Sequence, residues 1–65
     1  MRTKVYATIK DKDSQWNEPF FLEGKVTKEE AKEKIQNIVD MFNSSLRPTE
    51  SPRELVEVTE FIIIP

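Results

Sequence analysis

Apolar residues recur along this chain with two different periods, and the changes of period mark its elements. From Arg2 to Lys10 they alternate, with Val5, Ala7 and Ile9 on one side and Lys4, Tyr6, Thr8 and Lys10 on the other. Period two is the signature of a half-buried strand. Later the spacing becomes three and four: Ala31, Ile35, Ile38, Val39, Phe42 and Leu46 form one stripe, with Met41 on its flank. Glu29, Glu33, Gln36, Asn37, Asp40 and Ser44 occupy the opposite face. This predicts an amphipathic helix from Lys28 to about Asn43, ~24 Å long at 1.5 Å per residue. Its start signal is complete. Thr27 is an N-cap whose hydroxyl accepts the Glu30 N–H while the Glu30 carboxylate reaches back, and Val26 and Ala31 occupy the staple positions. Glu30 and Lys34 are spaced to pair along the helix. Asn43, Ser44 and Ser45 weaken the pattern and Pro48 forbids its continuation.

Alternation also appears from Phe20 to Glu23 or Lys25, and again from Val56 to Ile64. Between the first two strands, Asp11 to Pro19 reads as a polar connection with Trp16 as its only large apolar residue. Gly24, the only glycine, is placed to supply a positive-φ turn before the helix. Ser51-Pro52-Arg53-Glu54 has the form of a helix start, which predicts one helical turn before the last strand. The order ββαβ makes the fold class α+β, in one domain over residues 1–65. A three-stranded, mainly antiparallel sheet in spatial order 2-1-3 carries one amphipathic helix packed on one face. A parallel pairing of the second and third strands is the alternative topology.

One helix covers only one sheet face. Strict alternation puts Val5, Ala7, Ile9, Phe20, Leu22, Val58 and Ile62 beneath it and leaves Tyr6, Thr8, Phe21, Phe61 and Ile63 uncovered. Such a patch marks an interface unless a bulge near Glu60, a register slip or the long loop tucks some of these residues away.

Composition narrows the functions available. At 65 residues there is one small core, and with no cysteine there is no disulfide to reinforce it. The absence of histidine removes the usual partner of a serine nucleophile and the commonest zinc and haem ligand. The net charge of −2 is spread without long runs of one sign, so no electrostatic footprint for nucleic acid or membrane stands out. Lys10 interrupts the N-terminal apolar stretch too early for a signal peptide, and Phe61 to Ile64 is too short to span a bilayer. The expectation is a soluble cytoplasmic protein.

Candidate chemistry is sparse. Asp11-Lys12-Asp13-Ser14-Gln15 has the look of a calcium loop, but Trp16 stands where that loop needs glycine and Leu22 where it needs glutamate. A solvated turn is the better reading, and no metal or cofactor is expected. Trp16, Tyr6, Phe20 and Phe21 with Arg2, Lys4, Lys10 and Lys12 could offer a stacking surface to single-stranded nucleic acid. Aromatic residues on a sheet more often serve core or interface. Arg47 and Arg53 flank Glu50: either Arg47 bonds the last helix carbonyls and Glu50 bridges both arginines in a proline-stiffened loop, or the pair grips a phosphate or a partner carboxylate.

The stretch Phe42-Asn43-Ser44-Ser45-Leu46-Arg47-Pro48-Thr49-Glu50-Ser51-Pro52-Arg53-Glu54-Leu55, with its F-N-x-x-L-R-P-x-E-x-P-R-x-L pattern, resembles one found in small uncharacterised proteins of bacteriophages and mobile elements. That resemblance implies a short accessory protein working in a bacterial cytoplasm, and it brings no activity or site residues with it. The expectation drawn from the whole chain is a non-enzymatic interaction module that forms a homodimer or binds a host protein. Its working surface would include Tyr6, Trp16, Phe21, Arg47, Arg53, Phe61 and Ile63. A nucleic-acid or nucleotide binder using the N-terminal lysines and sheet aromatics is the alternative.

Overall fold

The computed structural model describes all residues from Met1 to Pro65. Strand β1 (Arg2–Lys10) is central, β2 (Gln15–Glu23) lies on one side and β3 (Glu54–Ile64) on the other, and both pairings are antiparallel. Helix α1 (Lys28–Ser44) joins β2 to β3. The order β2-β1-β3 is the predicted one; the parallel alternative does not form.

The helix begins where its sequence says it should. Thr27 is extended, its Oγ1 accepts the Glu30 N–H at 3.2 Å, and Glu30 Oε1 accepts the Thr27 N–H at 3.3 Å. Gly24 stands at φ +73°, the left-handed conformation expected of the turn. Thr3 pins that turn from below. Its buried hydroxyl donates to the Gly24 carbonyl at 2.8 Å and accepts the Val26 N–H at 3.4 Å. Ala31, Ile35 and Val39 then bury against Val5, Ala7, Ile9, Leu22 and Val58, with Trp16, Phe20, Val26 and Leu55 packed around them.

Three sequence expectations need correction. The connection between β1 and β2 is only Asp11–Ser14, because β2 begins at Gln15. Asp11 Oδ1 accepts the N–H groups of Asp13 and Ser14, both at 2.8 Å, and this local capping closes the hairpin early. Pro19 sits within β2, which is an edge strand and tolerates a residue without N–H. No helical turn forms at Ser51-Pro52; Glu54 already pairs with Lys10, and β3 starts there rather than at Val56.

The faces of β3 also depart from strict alternation. The β1–β3 register shifts between Tyr6 and Ala7 and again between Thr8 and Ile9, leaving Thr59 and Val56 as extra residues on β3. Each bulge reverses the alternation beyond it. Phe61 therefore lies opposite Val5 and Ile63 opposite Thr3, on the helix side of the sheet, while Ile62 and Ile64 lie opposite Lys4 and Arg2 on the far side. A bulge beside Glu60 thus decides the register, and Phe61 and Ile63 do not belong to the uncovered face.

Candidate functional site: the open end of the sheet

The two ends of this small sheet differ, and the loop after the helix explains the difference. Asn43, on the last turns of α1, fastens the main chain of Arg53: Nδ2 donates to the Arg53 carbonyl and Oδ1 accepts its N–H, both at 2.8 Å. The Arg53 guanidinium lies 4.0 Å from the Phe42 ring centre and 5.2 Å from that of Trp16, whose indole N–H donates to Glu18 at 3.1 Å. At this closed end, helix, loop and both outer strands are held together.

The fastening accounts for most of the F-N-x-x-L-R-P-x-E-x-P-R-x-L pattern between Phe42 and Leu55. Phe42, Asn43 and Arg53 form the clamp, and Leu55 packs beside the core opposite Ile9. Arg47 N–H donates to Glu50 Oε1 at 3.1 Å, and Glu50 N–H returns to the Arg47 carbonyl at 3.0 Å. Glu50 therefore closes a turn rather than bridging two guanidinium groups. Arg53 is engaged with rings and Arg47 is exposed, so the two arginines do not converge on one anion site.

The opposite end is open. The helix begins after Gly24 at the end of β2 and finishes tied to Arg53 at the start of β3, so it crosses the sheet obliquely. The last part of β3 is left outside its cover. Phe61 keeps 36% of its surface and Ile63 48% although both point to the helix side; Ile62 keeps 42% on the other side. Phe21, at 54%, shares a cross-strand row with Lys4 and Ile62. Met1 is also exposed here, with its carbonyl accepting the Gly24 N–H at 3.0 Å. On the uncovered face, Lys4 lies 5.0 Å from the Tyr6 ring centre and 5.7 Å from that of Phe21, and Arg2 lies 5.5 Å from Phe21. Glu54, Glu57 and Glu60 line the β3 side of the same face. Of the seven residues singled out from sequence, the structure gathers Tyr6, Phe21, Phe61 and Ile63 at this end and places Trp16, Arg47 and Arg53 at the other. Ile62 and Ile64 were missed because their face is set by a bulge.

Concave chemistry is limited. The largest hollow, of about 390 Å³, is an open charged groove lined by Lys10, Asp11, Lys12, Pro52, Arg53 and Glu54. The most apolar one, between Ile9, Phe20, Ile38, Phe42 and Arg53, holds about 30 Å³, room for about two waters. The one shifted titration is that of Asp11, held below the usual carboxylate range by the N–H groups of Asp13 and Ser14, which makes it a weaker base. No group of three or more His, Cys, Asp or Glu side chains is placed to hold a metal ion, and no helix is long and apolar enough to cross a membrane. Compared with protein-family models, with curated proteins and with solved structures, the chain gives no match to any.

Proposed function

We propose that this chain is a small non-enzymatic interaction module that binds protein, its own copy or another chain, through the open end of its sheet. The observation carrying this reading is the grouping of Met1, Phe21, Phe61, Ile62 and Ile63, all exposed, around one end of a 65-residue domain. Single exposed apolar residues are ordinary, whereas several gathered on both faces of one sheet end and rimmed by charge are characteristic of a contact surface. Arg2, Lys4 and Glu60 supply that rim. The resemblance of the Phe42–Leu55 stretch to phage accessory proteins extends the proposal to a host protein as the heterologous partner, in a bacterial cytoplasm.

Capture from a host lysate, with Phe21→Glu as the comparison bait, tests the reading when combined with sedimentation of the pure protein. Partners retained by the wild type and released by F21E, or a reversible self-association, support it. Identical captures from both baits together with a monomer at all concentrations would sink it. A second reading has one observation in its favour: the Arg2 and Lys4 cations sit against the Tyr6 and Phe21 rings, as on a single-strand-binding sheet. Glu54, Glu57 and Glu60 on the same face oppose a phosphate backbone. Oligonucleotide binding that falls steeply with salt would favour this alternative.

A further inference from the structure

We propose that the partner at the open end is a second copy of this chain, joined by antiparallel pairing of Glu60–Ile64 with the same segment of the other copy. The two edges of the sheet are not equivalent. Along β2, Pro19 lacks an N–H and Glu18 puts a carboxylate on the helix side, two devices that discourage further strand addition. Along β3, the bulges at Val56 and Thr59 disturb the first half only. From Glu60 to Ile64 the edge is regular and unpaired on its outer side, and it is apolar from Phe61 onward. That stretch pairs with itself along its whole length in one register, with a two-fold axis at Ile62. Phe61 then faces Ile63 of the second copy, and Glu60 faces Ile64. The two sheets fuse into one with both helices on the same side, and the exposed surfaces of Phe61 and Ile63 fall in the valley between them.

Charge complementarity identifies the occupant as a copy of the chain. Arg2 pairs with Ile64 across β1 and β3. In the fused sheet the next residue in that row is Glu60 of the second copy, two strand spacings or ~9.6 Å from Arg2 and within reach of its side chain. The symmetry repeats this pair. Within one copy, Arg2 and Glu60 occupy different rows, and Arg2 has Glu23 beside it on β2 and lies over Phe21, so its guanidinium turns across the strand toward β3 to meet Glu60 of the second copy. So short a pairing is smaller than the roughly 800 Å² per partner of a standard interface, and its expected strength is micromolar.

This inference rests on the interaction reading, and cysteine placement separates the two because the chain has no cysteine of its own. Under mild oxidation Ile62→Cys is expected to give a covalent dimer. Phe21→Cys is not, since the two copies of Phe21 stand five strand spacings apart, ~24 Å. Sedimentation adds a test of the charge pair: Arg2→Glu and Glu60→Arg are each expected to weaken association by about tenfold, and an equimolar mixture of the two variants to restore it. Linking through F21C but not I62C would overturn edge pairing while leaving self-association through the uncovered face. A wild-type monomer throughout the micromolar range would overturn the dimer and leave binding to a different protein. Failure of the mixed variants to recover would overturn the register.

Discussion

Replacing Asn43 by alanine removes the clamp between the helix and the loop that follows it, and the loss is calculable. Two hydrogen bonds of 2.8 Å disappear, one from the Arg53 carbonyl and one from its N–H. Each is worth ~1 kcal/mol net, and the partners left in a half-buried site add part of a desolvation penalty, giving a total of ~2–3 kcal/mol. Unfolding entropy of ~2.1 cal/mol/K per residue over 65 residues makes 1 kcal/mol equivalent to ~7 °C, so Tm is expected to fall by ~14–21 °C. Asn37→Ala, on the exposed face of the same helix, controls for the better helix propensity of alanine. Thermal and urea unfolding followed by circular dichroism measure both variants. If N43A falls within ~0.5 kcal/mol of N37A, below the smallest hydrogen-bond loss expected, the clamp contributes nothing and the account of the closed end is wrong.

Other expectations follow from single contacts. Thr3→Val keeps the buried volume but strips the Gly24 carbonyl and Val26 N–H of their partner; a loss of ~1–3 kcal/mol is expected in urea unfolding, and a neutral result would show that the hydroxyl does not secure the β2–α1 turn. Arg53→Ala retains the main-chain clamp but uncovers Trp16, so indole fluorescence is expected to shift to the red, and Arg53→Lys is not expected to restore it because an ammonium lacks the flat guanidinium. Asp11 titrates lower folded than unfolded, so its contribution is present above the unfolded value near pH ~4 and is lost as pH falls through the folded one. Asp11→Asn offers the same N–H groups a neutral acceptor, and its urea midpoint is expected to drop less than the wild type's between pH 7 and pH 3. An equal drop in both proteins would contradict the hairpin's dependence on that charge.

The helix was legible in the sequence because every signal for it is local. A capping box, a stripe at helical spacing and a single glycine before it point the same way, and the structure adds only one residue at its end. The strand order followed from connection lengths. The start of β2 was hidden because Asn17, Glu18 and Pro19 have turn-like composition, and only an edge position makes such a sequence acceptable as strand. Ser51-Pro52-Arg53-Glu54 carries a genuine helix-start pattern that tertiary contacts override: Asn43 takes the Arg53 main chain and Lys10 pairs with Glu54.

The surface was partly legible. Tyr6 and Phe21 are placed by regular alternation, which a sequence reports faithfully. Phe61 and Ile63 are placed by two bulges, and nothing in Val56 or Thr59 announces an extra residue. The same bulges move Ile62 and Ile64 to the uncovered face. The arginine pair around Glu50 was a matter of spacing only. Its members separate because Arg53 finds Phe42 and Trp16, which lie distant in sequence on α1 and β2.

Concentration-dependent amide hydrogen exchange tests the open end most directly. Amides within Glu60–Ile64 are expected to gain protection as the protein passes from low to high micromolar concentration, while those on the outer edge of β2 stay unchanged. Exchange along Glu60–Ile64 that is independent of concentration, or protection that appears along β2 instead, would contradict edge pairing.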